Sequence, residues 1–177
     1  FIKSDVGNYD LFSLNDIESV VHLSAQTSVP LSINDFKNSS NVNLMSNINV
    51  LDYCSKANVP LAYASSSSLY GNSELGDDMS KSVDLLSPYA VDKYSMELYS
   101  DVANKSYGLS SIGLRFFNVY GPRQDPSSQY SGVISIFIDR LKKGKKIKIN
   151  GGYQTRDFVF VSDVVNIIEK SINLIKS

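Results

Sequence analysis

Hydrophobic positions in this chain follow two rhythms. Short, largely apolar runs at 19–24, 61–66, 111–116 and 158–161 predict strands covered on both faces, and shorter ones are expected at 1–6 and 147–149. Between them, apolar residues recur every three or four positions, the spacing of a helix with one buried face. That spacing predicts a short helix over 9–19, with Leu11, Leu14 and Ile17 on one side. It predicts long helices over 36–58, 88–107, 133–143 and 162–175. In the 36–58 helix the expected inner face is Val42, Met45, Ile48, Leu51 and Tyr53; in the last it is Val165, Ile168, Ile172 and Ile175. Polar stretches at 25–33, 70–86 and 118–131 read as loops, and Gly151-Gly152 as a turn.

Local chemistry supports these boundaries. Ser87 is an expected helix N-cap, and Pro88 suits the first helical position, where no amide donor is needed. Gly108 can end that helix. Lysines followed by Gly144 end the 133–143 helix, as the helix dipole favours. Alternating short strands and helices imply an α/β fold: a doubly wound parallel sheet with right-handed crossovers. Ligands in such sheets bind beyond the carboxyl ends of the strands. Ser24, Ser66 and Asn118 each follow the apolar body of a strand.

One stretch carries the chemistry. In Ser87-Pro88-Tyr89-Ala90-Val91-Asp92-Lys93, Tyr89 and Lys93 are four apart on a helix and share a face. If the end of the 61–66 strand meets that face, a phenol, an ammonium and the Ser66 hydroxyl come together. A phenol has a pKa of about 10 and must be lowered to act as a base near neutrality; a lysine ammonium beside it would do this.

Composition narrows the field without changing it. The 177 residues are 42% hydrophobic and 20% charged, with a formal net charge of −1. Such a balance gives no reason to expect nucleic acid or an anionic membrane as partner. The cluster Lys142-Lys143-Gly144-Lys145-Lys146 reads as a solvated helix end and Asp77-Asp78 as a solvated loop. Cys54, the one cysteine, reads as core and suits a reducing compartment, hence a cytoplasmic location. His22 reads as a packed histidine, and no metal site is expected.

Four blocks, in order, carry a resemblance: Tyr63-Ala64-Ser65-Ser66-Ser67-Ser68-Leu69-Tyr70-Gly71; Ser87 to Lys93; Arg115-Phe116-Phe117-Asn118-Val119-Tyr120-Gly121-Pro122-Arg123; and Gln154-Thr155-Arg156-Asp157-Phe158-Val159-Phe160-Val161. Together they resemble the extended short-chain dehydrogenase/reductase family, in its NAD-dependent nucleotide-sugar epimerase/dehydratase group. The segments 25–33 and 123–134 resemble UDP-N-acetylglucosamine and UDP-glucuronate 4-epimerases. The resemblance implies a Rossmann-like sheet over 1–121, lacking its first βαβ unit, and part of a small substrate-binding region over 122–177, with 157–177 returning to the core. The chain opens on Phe1 and holds no Gly-x-Gly-x-x-Gly or Gly-x-x-Gly-x-x-Gly turn, so a sequence incomplete at both ends is expected.

The resemblance also implies roles. Ser66, Tyr89 and Lys93 would be catalytic. Asp5, Val6, Leu23, Ser24, Ala25, Asn41, Tyr89, Lys93 and Phe116 would line NAD. Ser28, Ser67, Ser68, Asn118, Val133 and Arg156 would contact a UDP-sugar. Sugar 4,6-dehydratases of the group carry an Asp-Glu pair where this chain has Ser67-Ser68, which favours epimerisation at carbon 4 through a 4-keto sugar. A decarboxylase or 4,6-dehydratase relative, and a shortened non-catalytic chain unable to hold NAD, are the alternatives. The Gly-Thr expected after Asn41 is Leu44-Met45 here. A homodimer is implied, pairing through the Asn41 and Tyr89 helices as a four-helix bundle.

Overall fold

A computed structural model describes residues 1–73, 82–128, 131–149 and 151–176. Asp77-Asp78, and Gln129-Tyr130 in the 123–134 segment, lie outside the described residues. Two compact units form. The first is Phe1–Phe116 with the end of the last helix from Lys170, and the second is Phe117–Glu169.

In the first unit, β1 (Val20–His22), β2 (Leu61–Ser66) and β3 (Ser111–Phe116) make a parallel sheet in that order. Val20 pairs with Leu61 and Leu61 with Ser111, so the three strands start level. Crossover helices join them: α1 (Val29–Asn34) and α2 (Phe36–Ala57) between β1 and β2, and α3 (Pro88–Tyr107) between β2 and β3. Val50, Leu51, Tyr53, Cys54, Leu61, Tyr63, Met96, Ala103 and Leu109 form the core, with Val6, Leu11 and Val20 packed against it. β2, the middle strand, is buried almost end to end.

The boundaries of α3 match the expected ones for the expected reasons. Ser87 accepts a hydrogen bond from the Ala90 amide at 3.2 Å, and Pro88 opens the helix. Gly108 closes it at φ 71°, a left-handed conformation glycine adopts without strain.

The second unit holds the two-stranded parallel pair β4 (Asn118–Tyr120) and β5 (Phe158–Phe160), with α4 (Val133–Lys142). Tyr120 packs edge-on to the Phe158 ring, their centroids 6.2 Å apart, and lies 5.5 Å from that of Phe160. The last helix, α5 (Val161–Lys176), starts here and ends in the first unit. Among the described residues no helix is long and apolar enough to cross a membrane.

Several expectations are corrected. Residues 1–6 form no strand; Asp5 makes a tight turn, accepting from the Gly7 amide at 2.8 Å. The 9–19 helix shrinks to a 3-10 turn at Leu11–Ser13, capped by Asp10. The 25–33 loop contains α1, started by Ser28 and Pro30. The 118–131 loop contains β4, while 147–149 forms no strand and leaves Ile149 exposed.

The largest correction concerns α2. Val42 and Met45, placed on its inner face by hydropathy, are 37% and 47% exposed. The buried face is Ser39, Asn43, Ser46 and Asn47, continuing into Val50, Leu51, Tyr53 and Cys54. Its first half packs against polar neighbours, and hydrogen bonding outweighs hydropathy there.

Gly113 faces its β2 register partner Tyr63, and a Cβ on it would lie 2.6 Å from the phenol ring. Gly113→Ala is therefore expected to destabilise the fold by about 1–3 kcal/mol, the usual cost of overpacking. Urea unfolding measures it, and the loss should shrink in a Tyr63→Leu background; equal losses in both would contradict the contact.

Candidate active site

Ser66, the last residue of β2, turns the chain out of the sheet. Its extended backbone (φ −150°, ψ 145°) caps the 3-10 turn Ser67–Tyr70, and its Oγ accepts from the Ser68 amide at 3.1 Å. α3 starts opposite that turn. Four-residue spacing puts Tyr89 and Lys93 on its buried face, together with Met96, Ser100 and Ala103. The Tyr89 phenol lies near enough to the Ser66 hydroxyl for that group to pull its pKa down. The Lys93 ammonium donates to the Ala64 carbonyl at 2.7 Å and lies 6.0 Å from the centre of the Tyr89 ring. Ser66, Tyr89 and Lys93 are thus brought together at the carboxyl end of β2.

Burial sets the protonation states. Tyr89 is held above the ordinary phenol value by burial, with the nearby Ser66 hydroxyl pulling the other way. Burial pushes the Lys93 ammonium down to about 8, against the opposing pull of Asp92. The expected lowering of the phenol by Lys93 is not seen. The ammonium is turned to a main-chain carbonyl, and desolvation of the phenolate outweighs the remaining attraction.

A polar frame that the sequence reading missed surrounds this group. Asn43 is 1% exposed; its Oδ1 accepts from the Gln26 amide at 2.8 Å, and its Nδ2 donates to the Gln26 carbonyl at 3.2 Å and to Asp92 at 3.3 Å. Ser39 donates to the Gln26 side chain at 3.1 Å. The Tyr89 amide donates to the Ser32 hydroxyl at 3.2 Å. Burial raises the Asp92 carboxyl above its usual range, with Ser40 and Asn43 opposing. His22 is 6% exposed and shares a 2.9 Å hydrogen bond with Asn47. Its pKa is lowered, by burial first, with Asn47 opposing. The small-polar stripe Ser39, Asn43, Ser46 and Asn47, at helical spacing, was the signal that could have revealed this frame.

Leu23, Ser24 and Ala25 follow β1, Leu23 being 52% exposed, and Phe116 ends β3 as the register partner of Ser66. Asp5 and Val6 sit in the opening turn, where Asn49 donates to the Val6 carbonyl at 2.6 Å. Ser28 caps α1, accepting from Leu31 at 3.2 Å. Ser67 and Ser68 lie in the turn after Ser66, and the Ser68 Oγ is buried without a hydrogen-bond partner. Asn41 is exposed on α2; Asn43, two residues on, takes the inward place. Asn118, Val133 and Arg156 belong to the second unit. The amide and side chain of Asn118 both donate to the Asp157 carbonyl, at 3.1 and 3.0 Å. Val133 opens α4, and the exposed Arg156 donates to the Thr155 carbonyl at 2.6 Å. Among the described residues, no three His, Cys, Asp or Glu side chains gather as a metal-binding group.

Residues 2–176 match the model of the NAD dependent epimerase/dehydratase family. The chain belongs to that family. It is 37% identical over 175 residues to the UDP-glucose 4-epimerase of Mycolicibacterium smegmatis, covering 94% of this chain and 55% of that protein. The fold is similar to the UDP-N-acetylglucosamine 4-epimerase from Methanobrevibacter ruminantium in complex with UDP-N-acetylmuramic acid. There the TM-score is 0.92 and identity 36%, over 97% of this chain and 57% of that one. It is also similar to the UDP-glucose 4-epimerase of Thermus thermophilus in complex with NAD, with TM-score 0.79 and identity 36%, over 88% of this chain and 53% of that one. The chain spans about half the length of the curated relatives it matches.

The family's cofactor suits the residues present in part. A buried ammonium, a phenol and the exposed Leu23-Ser24 corner offer donors and apolar surface fitting a ribose and a nicotinamide ring. A glycine-rich pyrophosphate turn is not among these 177 residues.

Lys93 makes a pH signature. It titrates near 8 when folded and at the ordinary 10.5 when unfolded. Between those values the unfolded chain binds more protons, so stability rises with pH. From pH 8 to 10 the protein should gain about 2 kcal/mol relative to Lys93→Met, measured by urea unfolding of both. A constant difference would refute the depressed lysine.

Proposed function

We propose that the protein acts in the NAD-dependent epimerisation of a UDP-sugar at carbon 4, through a transient 4-keto sugar. The observation that carries this reading is the Ser66 hydroxyl placed beside the Tyr89 phenol, with Lys93 one turn along the same buried face. The partnerless, buried Ser68 hydroxyl beside them supports a ligand at this turn. Serines at 67 and 68, where a dehydratase would carry an acid pair, favour epimerisation. Relatives named as 4-epimerases of UDP-glucose and UDP-N-acetylglucosamine support the substrate class.

In this reading NAD, when bound, accepts and returns a hydride at carbon 4; Leu23, Ser24, Ala25, Phe116, Tyr89 and Lys93 would hold its nicotinamide end, with Asp5, Val6 and Asn41 as further contacts. Tyr89, as phenolate, takes the proton of the sugar hydroxyl, and Ser66 orients that hydroxyl through a hydrogen bond of its own to the sugar. The positive charge of Lys93 favours the phenolate that this step requires, against the burial that otherwise opposes it. Ser28, Ser67 and Ser68 would contact the sugar side. Asn118, Val133 and Arg156 would contact the UDP side, the Arg156 guanidinium suiting a phosphate.

The homodimer of this reading pairs through α2 and α3. Val91, Leu98 and Val102 recur along one outer line of α3 at 45–54% exposure, beside Tyr99, and Val42 and Met45 are open on α2. Exposed apolar lines of this kind mark interfaces. The reading places the protein in the cytoplasm, where a lone buried thiol such as Cys54 stays reduced.

Incubation with UDP-glucose, UDP-N-acetylglucosamine and UDP-glucuronate, followed by NMR, should yield a 4-epimer; a 4-keto-6-deoxy product would replace this reading with a dehydratase. Tyr89→Phe should cut turnover about 10²–10⁴-fold while UDP-sugar affinity stays within about twofold. A mutant with full activity would remove Tyr89 as the base. Leu98→Asp should shift sedimentation from dimer to monomer, and an unchanged dimer would exclude this face.

A further inference from the structure

Tyr89 and Lys93 are two members of a longer row. Glu97 is the third, one further turn along the same face of α3. Each member meets one residue at the end of β2: Tyr89 meets Ser66, Lys93 the Ala64 carbonyl, and Glu97 the Ser65 hydroxyl, which donates to it at 2.5 Å. Arg115, the β3 register partner of Ser65, grips the same carboxylate with two parallel bonds, Nε to Oε1 at 2.9 Å and Nη2 to Oε2 at 2.7 Å. Its guanidinium also lies 5.1 Å from the centre of the Tyr70 ring, at the far end of the turn that Ser66 starts.

We propose that Glu97, fixed by Arg115, is a positioning residue that sets the Ser66 hydroxyl and the Ser67–Tyr70 turn against Tyr89. Its catalytic consequence rests on the epimerase reading. The pair ties together the four elements that meet around Ser66: Ser65 immediately before it, Tyr70 at the end of its turn, the neighbouring strand and the helix bearing the phenol. The geometry suits a fixing role. A bidentate guanidinium–carboxylate pair has one planar solution, unlike a lysine contact. The side chains of Arg115 and Glu97 are only 22% and 19% exposed, and Ser65 is 3% exposed, so water does not readily replace these bonds. Without Glu97, the partly buried Arg115 would lose its bidentate partner and the buried Ser65 hydroxyl its acceptor, and the strand end would be free to shift along α3. Displacement of about 1 Å in a reacting group can cost about 10²-fold in rate.

Two variants separate positioning from bulk stability. Ser65→Ala removes one tether and leaves the ion pair; Glu97→Gln keeps the shape and removes the charge. Amide hydrogen exchange followed by mass spectrometry, and steady-state epimerase kinetics, are measured on the same protein. Exchange over 65–70 is expected to speed up about tenfold in Glu97→Gln and less in Ser65→Ala, while exchange over 50–54 in the core stays unchanged. kcat should fall about 10- to 100-fold with KM within about twofold, as expected when only transition-state alignment is lost. Unchanged exchange over 65–70 overturns the proposal. So does acceleration spread evenly through the core, or faster local exchange with kcat intact. Lack of turnover in the unaltered protein would refute the epimerase reading instead, and the exchange measurement would still decide the positioning role.

Discussion

A lysine ammonium cannot be buried without an acceptor, and in this molecule the acceptor is a main-chain carbonyl at the end of the central strand. The bond from Lys93 to Ala64 fixes α3 over β2 in one rotational and axial setting. Burying that charge costs stability, as the depression of its pKa to about 8 records. The remainder of the site is arranged around that constraint. With Lys93 placed, Tyr89 falls beside Ser66 and Glu97 falls beside Ser65.

The crossover helix α2 serves the same end by unusual means. Helices that pack on a sheet commonly present apolar side chains, but the first half of α2 presents serines and asparagines. Asn43 holds both main-chain groups of Gln26 while donating to Asp92. The segment leaving β1 is thereby attached to the helix that carries the acid–base pair. Each of these polar groups is destabilising when buried alone and tolerated when paired, so the network favours a single arrangement.

Elements whose ends are written in local chemistry were legible from the chain. The Ser87-Pro88 start and Gly108 stop defined α3, and the apolar runs defined β2 and β3 to the residue. The convergence of Ser66, Tyr89 and Lys93 followed from four-residue spacing and from the place of ligands at strand ends. The inward face of α2 was not legible. Hydropathy assigns Val42 and Met45 to a core, whereas the setting of the helix is fixed by hydrogen-bond partners on other elements, Gln26 and Asp92 for Asn43 and His22 for Asn47. The state of the Tyr89 phenol was likewise hidden, because it depends on where the lysine points and how dry the site is. The strand expected at 1–6 failed for a related reason: a short apolar run cannot say whether a neighbouring strand lies within pairing distance.

Cys54 gives the molecule an internal reporter. It is completely buried, and burial raises its thiol to about 12, so the reactive thiolate is all but absent in the folded protein at neutral pH. It sits in the core cluster with Leu61 and Met96, beneath the sheet that carries Ser66. A thiol-specific reagent can reach it only when that core opens. The rate of alkylation at one unmodified native residue thus becomes a clock for the opening of the first unit, readable with no engineered label and no optical probe.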